Sequence, residues 1–177
     1  MKLNLPGDSP LTTAAAQSPA LVIFLRSFGC TFCREAMDDV SRLQKEIRAA
    51  GAGIVFVHGA SAEEGAPWFS KYQLGGVTVI SDPTLAHYRA FGLGRTRAAD
   101  MVAPRVWMRG AACAISRGFG AQTIEMMRQL PGVFIVQSGE VLAEYRHQSP
   151  ADRPDYLGLV QSAVSNRSAI SSFPSTI

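Results

Sequence analysis

Cys30 and Cys33 are the residues in this chain whose type and spacing are best suited to chemistry. A thiolate is a nucleophile, and two thiols separated by two residues can cycle between dithiol and disulfide. They lie within Arg26-Ser27-Phe28-Gly29-Cys30-Thr31-Phe32-Cys33-Arg34. The same spacing could supply half of a zinc site, but zinc normally takes four ligands, often as two such pairs. Only Cys113, His58, His87 and His147 remain, scattered and without a second pair, so no metal is expected. A pair of small apolar residues packed at a helix start is the other alternative, and it suits a lone cysteine better than this pair.

The flanking residues place the pair. Ala20-Leu21-Val22-Ile23-Phe24-Leu25 is a continuous apolar run rich in branched and aromatic side chains, which predicts a buried strand over about 20–26. After Gly29, the residues Cys33, Ala36, Met37, Val40, Leu43 and Ile47 recur at spacings of three and four. That is one face of a helix over about 31–50, stopped at Gly51 and Gly53. Cys30 therefore falls where a strand gives way to a helix, and Cys33 lies one turn further on. Unpaired N–H groups at the helix N-terminus favour a thiolate at Cys30, and Arg26 and Arg34 are expected to add positive charge.

Further along, Ile54-Val55-Phe56-Val57 predicts a second buried strand and completes a βαβ unit with parallel strands and a right-handed crossover. Ser61 with Glu63 and Glu64 opens the next helix, whose apolar face would carry Trp68, Phe69 and Tyr72. Val77-Thr78-Val79-Ile80 is a third strand. Asp82 is expected to cap a helix with Pro83 at its first position, and Gly92-Leu93-Gly94 to stop it. That Gly-x-Gly lacks the third glycine of a phosphate loop. Residues 95–130 read as a helical insertion, in which Cys113 packs among alanines. Gly132–Val136 and Val141–Arg146 flank Gln137-Ser138-Gly139-Glu140 and predict an antiparallel hairpin. Asp152-Arg153-Pro154-Asp155 then opens a last helix.

The domain plan is an irregular lead-in over 1–19, a redox domain over 20–165 and a flexible tail over 166–177. At 177 residues and 47% hydrophobic, the chain can bury a full core in one domain. Its net charge of +3 is mild and its 17 Lys and Arg are dispersed, which argues against nucleic acid as a partner. Three cysteines are too few for a disulfide scaffold. The first residues lack the apolar core of a signal peptide, and the run at Ala20 is too short to span a membrane. A cytoplasmic location is expected, where a Cys-x-x-Cys is more often catalytic than structural.

The element order, with Cys-x-x-Cys at the first strand-to-helix junction, resembles the thioredoxin superfamily. Within it the chain is most similar to peroxiredoxin-like proteins of the AhpC/TSA group related to selenoprotein L. The stretches that carry the likeness are Phe24 to Glu35, Ser81-Asp82-Pro83, Tyr88 to Leu93, and Pro131 to Val136 with Gly139-Glu140-Val141. The resemblance implies an α/β thioredoxin-like fold, a central mixed sheet flanked by helices. It also implies a nucleophilic Cys30 and a resolving Cys33, with Ser27, Thr31, Arg26, Arg34 and Pro131 in support. Two positions depart from a peroxiredoxin: Ile23 stands where its proline would be, and Pro131 stands where its arginine would be. Pro131 instead resembles the thioredoxin-type proline, usually cis, opposite the Cys-x-x-Cys.

These features point to a thiol-disulfide oxidoreductase needing no cofactor. Its substrates would be a protein or small-molecule disulfide, or a peroxide, with a thiol as reductant. A peroxiredoxin-like peroxidase using the same cysteines is the alternative enzyme. A non-catalytic binding module that keeps the fold is the alternative outside enzymes.

Overall fold

The computed structural model describes residues 1–95, 108, 128–149 and 152–171, with side chains in the last helix described to 166. The expected insertion, with Cys113, lies outside the described residues apart from residue 108 and its two ends, where Arg95 and Gln129 meet in an antiparallel bridge. Leu130 N–H donates to the Gly94 carbonyl at 3.1 Å beside it.

Five strands form one sheet in the order β3-β2-β1-β4-β5. They are β1 (Ala20–Leu25), β2 (Gly53–His58), β3 (Thr78–Ser81), β4 (Gly132–Gln137) and β5 (Glu140–Arg146). β1, β2 and β3 run parallel, as a βαβ crossover requires, while β4 and β5 are antiparallel additions. The expected mixed sheet flanked by helices is the observed architecture.

Central β1 is buried at every position, which is why it reads as an unbroken apolar run. Its side chains alternate between two cores. Leu21, Ile23 and Leu25 face α2 (Thr31–Ala49) and α5 (Tyr156–Ser171), together with Met37, Val40, Ile47 and Val160. Ala20, Val22 and Phe24 face the opposite side, with Tyr88, Phe91 and Phe134.

Local signals explain most element ends. α2 stops in a Schellman motif: Gly51 adopts φ +85°, Gly51 N–H reaches Arg48 O, and Ala52 N–H reaches Ile47 O. α3 (Ala62–Lys71) opens with a capping box between Ser61 and Glu64. The β4–β5 turn puts Ser138 and Gly139 both at positive φ, the geometry favoured by a two-residue hairpin.

Two expectations are corrected. α4 (Ala86–Ala90) starts three residues later than Asp82-Pro83 suggested, with Leu85 at its N-cap. The Asp82 carboxylate still serves that helix, accepting from the Ala86 and His87 N–H groups at 2.9 and 2.7 Å. The lead-in is not wholly irregular, because α1 (Pro10–Ala14) buries Leu11 completely. Ser9 caps α1 and bonds His87 Nε2 at 2.9 Å, fastening the lead-in to α4. At the other end, α5 continues to Ser171. Among the described residues no helix is long and apolar enough to cross a membrane.

Candidate active site

The junction after β1 is built in nine residues. Cys30 N–H donates to Ser27 O at 3.2 Å, closing a tight turn. Cys30 is the N-cap of α2, with extended backbone at φ −79° and ψ 123°, and its carbonyl accepts from Arg34 N–H at 3.1 Å. Its sulfur therefore stands at the positive end of a 19-residue helix. Cys33 follows one turn later. Both are free thiols and almost fully buried, with 2% and 4% of their surface exposed.

Arg26, the first residue past β1, reaches both sulfurs. Its Nη2 donates to Cys30 Sγ at 3.0 Å, and its backbone N–H donates to Cys33 Sγ at 3.1 Å. A hydrogen bond from the Cys33 thiol, helped by the Arg26 charge and opposed by burial, pulls the Cys30 pKa down to about 5. Holding that proton for Cys30, together with burial, pushes Cys33 well above the ordinary thiol range. Both shifts favour a Cys30 thiolate accepting from a Cys33 thiol. This asymmetry suits attack by the first sulfur and resolution by the second.

The other residues singled out from the sequence are placed as follows. Thr31 is the first residue of α2 and is buried, and Ser27 supplies the carbonyl that closes the turn. Arg34 is not among the groups that lower Cys30. Its Nε donates to Phe28 O at 2.7 Å, and its guanidinium lies 4.5 Å from the Trp68 ring centroid. Pro131 does line the cleft that holds both cysteines. The expected cis bond before it is corrected: no peptide bond among the described residues is cis. The chain enters β4 from the Arg95–Gln129 bridge, so Leu130 is already paired with Gly94 as it leads into Pro131, and the ordinary trans bond serves. Ile23, where a peroxiredoxin proline would stand, is packed in the core on the α2 side.

Sequence reasoning missed the far wall of the cleft. Glu35, Asp39, His147, Arg153 and Tyr156 line it with the cysteines. Asp39 takes a two-pronged bond from Arg153, at 2.8 and 2.7 Å, across 114 positions of sequence. Burial pushes the Tyr156 hydroxyl pKa up, and the negative charges of Asp39 and Glu35 add to that. Asp39 carried a signal, since it lies three residues after Ala36 and four after Glu35 on a helix whose other face is apolar. Arg153 and His147 carried none, because they arrive from distant elements. Behind the site, the buried Tyr88 hydroxyl donates to the Leu25 and Val57 carbonyls and holds the end of β1 against β2.

Comparison with known proteins agrees with the fold. The family described as AhpC/TSA antioxidant enzyme matches residues 39–149, a span that begins after both cysteines. A prostamide/prostaglandin F synthase of Danio rerio is 27% identical over 143 residues, covering 78% of this chain and 70% of that protein. Reduced Prx3 from Vibrio vulnificus superposes with a TM-score of 0.63 at 15% identity, covering 93% of this chain and 92% of that one. A peroxiredoxin 6 variant of Arenicola marina superposes at 0.64 and 11% identity, covering 90% and 66%. At such identities the two structures speak for the fold alone.

Proposed function

This chain belongs to the AhpC/TSA antioxidant enzyme family, and on that premise we propose that it is a thiol-disulfide oxidoreductase working through a Cys30–Cys33 dithiol/disulfide couple. One observation carries the reading: the Arg26 guanidinium sits 3.0 Å from a Cys30 sulfur at a helix N-cap, with Cys33 one turn further on. In the reduced enzyme the Cys30 thiolate attacks one sulfur of a disulfide, forming a mixed disulfide and releasing the other half as a thiolate. Cys33 gives up its proton and attacks Cys30 Sγ, releasing the second half. Two electrons leave the dithiol, and two external thiols, or one external dithiol, return them as they close to a disulfide. Arg26 steadies the attacking charge, and the α2 N-terminus adds its field.

A specific observation favours a second reading on the same cysteines. Cys30 is only 2% exposed, so a small hydroperoxide reaches its sulfur more easily than a protein disulfide does. There the thiolate attacks the terminal peroxide oxygen and an alcohol or water leaves. Cys33 condenses with the Cys30 sulfenic acid to the same disulfide, with loss of water.

The test offers the reduced protein insulin, a small aromatic disulfide and hydrogen peroxide. Mass mapping then follows the Cys30–Cys33 disulfide in each case. Disulfide formation with any of them, abolished by Cys30→Ser, supports the couple, and the faster substrate chooses between the readings. No reaction with any of them leaves the binding module. Trapping on Cys33→Ser identifies disulfide partners, because the mixed disulfide then stalls.

A further inference from the structure

The turn that carries Cys30 is held from outside α2. Phe28 sits midway between Arg26 and Cys30, and both its carbonyl and its ring are fixed. The carbonyl accepts from Arg34 Nε at 2.7 Å, tying the turn to the first turns of α2. The ring stacks on Trp68 of α3, 3° from parallel with centroids 5.9 Å apart. It also meets Phe69 edge-on at 5.9 Å and His58 at 4.9 Å. Arg34 closes the arrangement by laying its guanidinium over the same Trp68 ring, 4.5 Å from its centroid. One indole thus holds both the residue that grips the turn and the residue at its middle. Gly65 keeps α3 close, because a Cβ there would come within 2.8 Å of the His58 ring that backs Phe28.

We propose that Trp68 is a positioning residue for Cys30: with Arg34 and Phe28 it clamps the 27–30 turn in the shape that brings the Arg26 guanidinium to the Cys30 sulfur. The role rests on the reading of Cys30 as the nucleophile. Trp68 touches neither sulfur and acts through the turn. Without the indole, Arg34 loses its stacking face and Phe28 one of its ring partners, so the five residues from Arg26 to Cys30 are free to relax. The contact most sensitive to that relaxation is Arg26 Nη2 to Cys30 Sγ, since it depends on the turn's shape and on a long side chain together.

The experiment measures the rate of Cys30 alkylation against pH in a Cys113→Ala background, for the parent, Trp68→Ala, Trp68→Phe and Arg34→Lys. Trp68→Ala should raise the midpoint by about one pH unit, a tenfold loss of thiolate at a fixed pH below it. Trp68→Phe keeps an aromatic face and should move it less. Arg34→Lys keeps the charge but not the flat fork that stacks and donates at once, and should move it in the same direction as Trp68→Ala. A parent midpoint near the free-thiol value of about 8.5 would sink the reading of Cys30 itself. A low parent midpoint, unchanged in a natively melting Trp68→Ala, overturns the clamp alone. If Trp68→Ala does not fold, Arg34→Lys decides, and an unchanged midpoint there is equally fatal to the clamp.

Discussion

Removing the Cys33 thiol tests how the Cys30 thiolate is held. In the reduced protein the hydrogen bond from that thiol stabilises the charge alongside the Arg26 guanidinium. Cys33→Ala deletes the donor and leaves the guanidinium and the α2 N-cap in place. A hydrogen bond to a charged group contributes about 1.5–3 kcal/mol, and one pKa unit corresponds to about 1.36 kcal/mol, so the Cys30 midpoint should rise by about 1–2 units. From about 5 in the parent it should move to about 6–7. Arg26→Met should also raise it, by removing charge and hydrogen bond together while keeping much of the packing volume. The assay is iodoacetamide labelling of the Cys30 peptide between about pH 4 and pH 9, read by mass spectrometry in a Cys113→Ala background. A Cys33→Ala midpoint equal to the parent's, in a protein with native circular dichroism, would refute the claim that the second thiol holds the first as an anion. The direction distinguishes this from simple loss of bulk. A wetter site alone would relieve burial and lower the midpoint, whereas a lost donor raises it.

The same pair sets the pH dependence of the redox potential. Below about pH 5 reduction takes up two protons; between there and the high Cys33 pKa it takes up one. For this two-electron couple each proton contributes about 30 mV per pH unit, so the slope should fall from about 59 to about 30 mV on crossing pH 5 upward. A constant slope of about 59 mV up to pH 8 would contradict a Cys30 thiolate. Ser9→Ala should destabilise the fold by about 2–3 kcal/mol in urea titration, because it removes the α1 cap and strands the buried His87 Nε2. Asp39→Asn weakens the bond to Arg153, and since that side chain is 54% exposed the cost should be only about 1 kcal/mol, read from the same titration. A loss above about 3 kcal/mol would mean that Asp39 carries more of the cleft than its pair with Arg153 does.

How much of this could be read from the chain depended on how far apart the interacting residues lie. Cys30, Cys33 and Arg26 fall within eight positions, so strand, turn and helix periodicity were enough to place them. Arg34 was placed in sequence but not in role. Its charge was expected to serve Cys30, and what the sequence did not show is that its guanidinium lies over the Trp68 ring of α3. The start of α4 was misplaced because Asp82 caps from three positions further back, with Leu85 at positive φ between them. A capping side chain marks a helix N-terminus without fixing which residue is first.

Pro131 shows what strand register supplies and what it leaves open. β4 pairs antiparallel with β1, and Gly132 lies opposite Phe24. The residue before β4 must then stand beside the end of β1, where the chain turns toward Cys30. Once the sheet order holds, residue 131 lines the site whatever its side chain; the apolar runs marked the strands, and their order comes from the structure. The isomer of the preceding bond does not follow from register. It depends on how the chain arrives, here from a bridge between Arg95 and Gln129 with Leu130 already bonded to Gly94. The same reasoning separates the two sides of the cleft. The side made by Arg26, Cys30, Cys33 and Pro131 is imposed by the central strands and the helix that follows β1. The side made by Asp39, Arg153 and Tyr156 depends on α5 docking against α2. On the proposed mechanism the first carries the reacting sulfurs, so substitutions there should act on the thiolate. The second lines the same cleft, so substitutions there should act on which substrates are accepted.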